Sequence, residues 1–190
     1  MPVGISPETL KAFHDDAQSY DVYLGDQDYA TPWRKNDSRT KLTSSQMTLL
    51  GSFVREIKVL VLSGIWCGDC AVQGPMLAAI ADGSDRIDLR WLDRDAKPEL
   101  VEHFAINAGH RVPTVLFMAE DYVPVSILGD RTLTRYRSIA SRQLGAGCDI
   151  PGVLVAEDEY NATLQEWLNE FERVQLLLRL SARLRQKHGD

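Results

Sequence analysis

The spacing of apolar residues changes along the chain, and each change predicts an element. From Leu10, apolar positions recur at helical intervals through Phe13, Ala17 and Tyr20. Just upstream, Ser6-Pro7-Glu8 offers a capping hydroxyl, a proline suited to the first turn and an acid near the positive end of the helix dipole. Gly25 to Lys41 is polar, carries Gly25 and Pro32, and reads as a loop. A second amphipathic segment, Ser44 to Ile57, groups Met47, Leu50, Phe53, Val54 and Ile57 on one helical face. The pattern then turns aliphatic: Lys58 to Ser63 is the continuous run expected of a strand covered on both faces. Cys70 to Ala81 returns to helical period through Val72, Met76, Leu77 and Ile80, and stops at Asp82-Gly83. Ile87 to Leu92 alternates like a strand, and Pro98 to Phe104 fits a short helix. Thr114–Met118 and Val123–Leu128, joined by Ala119–Tyr122, predict an antiparallel hairpin.

Thr132 to Gln143 reads as a helix and Gly145 to Gly152 as a linker. Glu157 to Lys187 predicts one long helix, with Tyr160, Leu164, Trp167, Leu168, Phe171, Val174 and Leu178 in register, acids first and bases last. At ~1.5 Å per residue it would exceed ~40 Å, longer than a small domain is wide, so it bends or projects. Its stripe reads as core packing, with a homodimer through this helix as the alternative to a monomer. The division that follows is a helical extension packing on the core (1–57), an α/β core (58–143) and a linker with C-terminal helix (144–190), all in one compact domain.

Composition narrows the class. With 190 residues, 44% apolar and 25% charged, the chain is neither a disordered tail nor a fibre nor a disulfide-dense scaffold. Its net charge of −6 disfavours nucleic acid and anionic membranes as partners, so the basic stretch from Arg179 to Lys187 reads as a solvated helix end. Val59–Leu62 and Leu176–Leu178 are too short to span a bilayer. Met1 to Leu10 has no basic, apolar, small-residue leader pattern. The expectation is a cytoplasmic protein. Its three cysteines make a poor basis for an extracellular disulfide framework.

Two of those cysteines are close together in Trp66-Cys67-Gly68-Asp69-Cys70, where the buried strand gives way to a helix. Free N–H groups and the dipole at a helix start stabilise a thiolate on the first cysteine. The thiolate is the nucleophile of disulfide exchange, and the two-residue spacing lets the second sulfur resolve a mixed disulfide. Cys67 would attack and Cys70 resolve. A C-x-x-C can also be half of a zinc site, but no second pair accompanies it. His103 and His110 are seven apart, and Cys148 stands alone as a spare thiol. Neither a metal nor a cofactor is expected.

These residues resemble the thioredoxin family. Beyond the W-C-G-x-C motif, Pro75 matches the proline that kinks the family's active-site helix, and Ile87–Asp95 resembles its central strand and following turn. Val112-Pro113-Thr114 looks like its cis-proline turn, and Gly129 like the glycine of the remaining active-site loop. The resemblance runs from Lys58 to about Gln143, without clear cover of either terminal extension. It implies a thioredoxin-like α/β fold, a central mixed sheet flanked by helices, with an N-terminal helical extension and a long C-terminal helix. It further implies thiol–disulfide exchange, a Cys67–Cys70 disulfide in the oxidised state, and a substrate groove formed by Trp66, Val112, Pro113, Thr114 and Gly129. The partners would be a disulfide-bearing client protein or small disulfide, and an electron donor such as thioredoxin reductase or a low-molecular-weight thiol.

The departures bear on tuning. Val61 and Trp91 stand where the family usually pairs a buried acid with a lysine, so Cys70 must lose its proton by another route. Asp69 replaces the usual proline: its charge opposes a Cys67 thiolate, while its N–H, which proline lacks, favours one. Gly68 sits between the two. Asn107-Ala108-Gly109-His110 is an insertion expected beside the cysteines, bringing His110 as a further tuning candidate and Arg111 as a surface charge. The missing acid and the extensions also support an alternative, a thioredoxin-fold binding or adaptor protein whose redox pair is regulatory or vestigial.

Overall fold

The computed structural model describes residues 4–26, 28–144 and 156–190. The expected strands form a four-stranded sheet of order β2-β1-β3-β4: β1 (Ile57–Ser63), β2 (Ile87–Asp93), β3 (Thr114–Ala119) and β4 (Pro124–Gly129). β2 runs parallel to β1, β3 is antiparallel to it, and β4 closes the hairpin. The sheet is therefore mixed, with its two most apolar strands at the centre. Alternation splits their side chains between two cores. Val59, Val61, Val115 and Phe117 face one side, and Leu60, Leu62, Leu116 and Met118 the other.

The second face is covered by α1 (Pro7–Asp16) and α6 (Pro98–Val101), whose Leu10 and Leu100 are fully buried. The Ser6 hydroxyl caps α1 by accepting from the Thr9 N–H at 3.2 Å. Tyr20 does not continue that helix. After α1 the chain makes a two-bond bridge from Gln18 to Trp91, covering the outer edge of β2, and Tyr20 opens α2 (Tyr20–Leu24).

Two expectations need correction. The segment read as a loop, 25–41, contains a 3-10 turn (Asp28–Ala30) and a helix, α3 (Thr31–Asp37). One fully buried side chain, Trp33, supplies nearly the whole packing face of α3, so no periodic stripe announces it. Its ring lies on Gly74, where a Cβ would come within 2.1 Å of it. Second, the helix expected over 44–57 stops early. α4 (Ser44–Gly51) opens with a capping box between Thr43 and Gln46 but ends at Gly51, and Ile57 belongs to β1. Met47 and Val54 face outward. Gln175 takes the place of helical bonds there, accepting from the N–H groups of Val54 (3.2 Å) and Arg55 (2.8 Å) and donating to the Arg55 carbonyl.

The long C-terminal helix takes one of its two expected courses and bends at Ser181, giving α8 (Glu159–Leu180) and α9 (Ala182–His188). The break buries Leu184 and brings Lys187 and His188 to Glu120, and Arg183 to Asp121, on the β3–β4 turn. The stripe invoked for a homodimer is buried inside the chain itself, against α5 (Gly68–Asp82) and the sheet. Outside the stripe, the apolar residues of α8 that remain well exposed are Leu176, Leu177 and Leu180. α7 (Leu133–Leu144) precedes the linker read at 145–152, which lies outside the described residues together with Cys148. Among the described residues no helix is long and apolar enough to cross a membrane.

Candidate active site

β1 ends in the core and delivers Gly64-Ile65-Trp66-Cys67 to the start of α5. Two contacts from α3 fix that hand-over. The Trp33 indole donates to the Ile65 carbonyl at 3.0 Å, and the Asn36 amide donates to the Ala71 carbonyl at 2.9 Å. The second contact has a cause in the sequence. Pro75 lies inside α5 and has no N–H for the carbonyl four residues before it, which is that of Ala71. Asn36 supplies the missing donor.

Cys67 is the N-cap of α5, and its sulfur accepts from the Cys70 N–H at 3.4 Å. It also lies 3.6 Å from the Val112 carbonyl, to which its thiol donates when protonated. Cys67 is half-buried and Cys70 fully buried; both are free thiols. The hydrogen bond from the Cys70 thiol holds the Cys67 pKa down at about 6, helped by the N–H groups of Cys70 and Asp69, against burial and the Asp69 charge. Burial pushes the Cys70 thiol well above the ordinary value, and the Cys67 sulfur adds to that rise. The two thiols are thus driven apart, one toward thiolate near neutrality and one toward the protonated form.

The turn facing them is built from the sheet's opposite half. The Val112–Pro113 bond is cis, and the Thr114 hydroxyl donates to the Arg111 carbonyl at 2.8 Å. Gly129 of β4 presses on this turn: a Cβ there would come within 2.5 Å of the Pro113 carbonyl oxygen. Gln73, fully buried on α5, donates to the Asp130 carbonyl at 3.0 Å and accepts from the Trp167 indole at 3.1 Å. The active-site helix is thereby tied to the loop after β4 and to α8.

The other sequence-flagged residues divide. Trp66 lies over Gly64, stays half-exposed, and carries the Arg94 guanidinium 4.7 Å above its ring. A Cβ on Gly68 would meet nothing within 4 Å, so the approach there is open. The insertion folds into a tight turn with positive φ at Asn107 and Ala108 and an Ile106–Gly109 bridge. His110 faces Glu102 at 3.5 Å, while Arg94 takes its carbonyl. Val61 and Trp91 pair directly across β1 and β2, both fully buried in the core that contains Cys70. An aromatic cluster of Tyr20, Tyr23, Trp33 and Trp91 surrounds that position.

The spacing of motifs did not disclose Arg131 and Arg135, which reach the Asp69 carboxylate from the start of α7. Arg135 lies in the first turn of α7 and Arg131 just ahead of the helix, so no helical spacing joins them, and their partner lies more than sixty positions away in the chain. Among the described residues no group of three or more His, Cys, Asp or Glu side chains is placed to hold a metal ion.

The family model for thioredoxin matches residues 17–135, more than half of the chain. The match begins well before Lys58, so the family model also covers the N-terminal segment from Ala17 onward. Among solved structures, a Pseudomonas aeruginosa protein of unknown function shares 15% identity at a TM-score of 0.68, covering 90% of this chain and 97% of that one. An HIV epitope scaffold shares 16% identity at a TM-score of 0.61, covering 90% of this chain and 98% of its own. Both likenesses are of fold. No curated protein matches.

Proposed function

The chain belongs to the thioredoxin family, and from that premise we propose that it is a thiol–disulfide oxidoreductase with Cys67 as nucleophile and Cys70 as resolving thiol. The observation that carries this reading is the asymmetry of the pair. Cys67 is partly exposed and caps α5, with its pKa held near 6; Cys70 is buried and held protonated. A pair retained only for packing has no need of that difference.

In the reductive direction the Cys67 thiolate attacks one sulfur of a client disulfide. A Cys67–client mixed disulfide forms, and the other client sulfur leaves as a thiolate that takes a proton from water. Cys70 then gives its proton to water and attacks the Cys67 sulfur, expelling the second client thiolate. The client gains two electrons, and the Cys67–Cys70 disulfide holds the oxidation until a donor dithiol or a low-molecular-weight thiol returns it. Breaking the Cys70–Cys67 hydrogen bond in the mixed disulfide removes one cause of the raised Cys70 pKa. Val61 offers no base, so solvent is the acceptor, and the second step is expected to limit turnover at neutral pH. Trp66 with Val112, Pro113, Thr114 and Gly129 would seat the client backbone, while Gly68 keeps the approach open. A compartment that keeps thiols reduced, such as the cytoplasm, suits this cycle.

The test is reduction of insulin by dithiothreitol followed by turbidity. Wild type should outpace Cys67→Ser and Cys70→Ser. Equal rates for all three would favour the binding or adaptor reading instead.

A further inference from the structure

Asp69 sits beside the nucleophile, where an acid works against a thiolate, yet two arginines from α7 and its approach hold its carboxylate. Arg131 meets Oδ2 through Nε at 2.7 Å and Nη2 at 2.6 Å. Arg135 meets Oδ1 through Nε at 2.9 Å and again through Nη2. Each guanidinium therefore places two nitrogens on one carboxylate oxygen, a contact that fixes orientation as well as charge. The Asp69 side chain is only 13% exposed and that of Arg135 14%, so solvent screens these pairs weakly.

Neither arginine hydrogen-bonds a sulfur. Their remaining contacts lead away from the cysteines: Arg131 Nη1 to Asp130 at 3.0 Å, and Arg135 Nη1 to Glu159 at 3.0 Å. Asp130 also accepts from Tyr136 and lies 3.6 Å from Arg111. The titratable groups that weigh most on Cys67 are Cys70 and Asp69, and Cys67 in turn acts on the buried Tyr23 phenol. By contact, then, Arg131 and Arg135 reach Cys67 only through Asp69; a direct effect of their charges through space is what an Asp69→Asn background separates.

We propose that Arg131 and Arg135 are positioning residues for Cys67, clamping the Asp69 carboxylate to α7 and its approach so that an acid beside the nucleophile lends its backbone N–H while two guanidinium charges offset the charge that opposes the thiolate. The inference rests on the reading of Cys67 as nucleophile and deepens it. It also accounts for an acid where the family usually has proline: the N–H gained is useful only if the charge gained with it is neutralised.

The test is a cycle on the full-length reduced chain: wild type, Arg131→Gln/Arg135→Gln, Asp69→Asn, and the triple variant. The readout is the pH profile of Cys67 alkylation by iodoacetamide, resolved by peptide mass spectrometry so that Cys70 and Cys148 do not contribute. Removing both arginines should raise the Cys67 midpoint by about one unit, the size expected for one uncompensated neighbouring charge. Below both midpoints that is a tenfold loss of reactive thiolate. In the Asp69→Asn background the same substitutions should move the midpoint by less than a third of that. An unchanged midpoint in the first comparison, or equal shifts in both, overturns the proposal. If the double variant does not fold by circular dichroism, Arg131→Gln alone replaces it, with half the shift expected and the same two refuting results. Insulin reduction by wild type is scored separately. Its absence would sink the oxidoreductase reading while leaving the clamp's effect on the thiol intact, and the converse result is equally distinguishable.

Discussion

Asn36 and Pro75 should be energetically coupled, although they lie on different helices. Pro75 deprives the Ala71 carbonyl of its helical donor, and the Asn36 amide replaces it at 2.9 Å while also donating to Pro32 at 3.0 Å. Ala71 is almost fully buried, so Asn36→Ala leaves an acceptor that only an invading water can satisfy. Leaving such a group unpaired costs about 1–3 kcal/mol. Asn36 itself is partly exposed, which lets water approach and sets the expectation near 1.5 kcal/mol. For a chain of this size that is a fall in Tm of roughly 3–6 °C. In a Pro75→Ala background the residue 75 N–H can reach the Ala71 carbonyl itself, so Asn36→Ala should cost less than half as much there. Urea unfolding of the four proteins, followed by tryptophan fluorescence, gives the coupling energy directly. Equal costs in both backgrounds would refute the compensation and with it the account of how α3 supports the active-site helix.

Gly129→Ala should lower stability by about 2 kcal/mol or more and slow disulfide reduction, because the new methyl lands 2.5 Å from the rigid Pro113 carbonyl; a variant with unaltered Tm and rate would contradict the packing described. Ala108→Gly should raise Tm by about 1–3 °C, since Ala108 holds φ 56 without the freedom glycine has there; differential scanning fluorimetry reads the change. His14 is buried with its Nε2 3.1 Å from the Asp88 carbonyl, and burial, aided by Lys58 and Arg90, lowers its pKa below the ordinary 6.5 against Asp88. The neutral ring is the one the fold favours, so its contribution is complete above pH 6.5 and is lost as pH falls through the depressed value. Urea midpoints between pH 7.5 and 5.5 should decline more steeply for wild type than for His14→Gln, and parallel declines would remove His14 from the account.

How much was legible in the sequence depended on whether a signal was periodic and local. The central strands announced themselves because both faces of β1 and β3 are covered, and the α8 stripe because seven apolar residues share one face and all are buried. The α1 cap was readable from Ser6-Pro7-Glu8 alone. α3 was hidden because a single tryptophan does the work of a stripe, its partner being a glycine forty-one residues later. The end of α4 was hidden because a glutamine on α8, not a local stop signal, takes over the backbone there. At the site, the cysteines and the turn opposite them were legible as a motif. The sign of the Asp69 effect was not, because it depends on two arginines that only the fold brings to it.

The central claim is that Cys67 attacks and Cys70 resolves, and peptide-resolved alkylation of the reduced wild-type chain across pH tests it most directly. Cys67 should react with a midpoint near 6, and Cys70 should stay unmodified in the folded protein until well above the ordinary thiol range. A Cys67 midpoint near the ordinary thiol value, or Cys70 reacting first, would contradict the account.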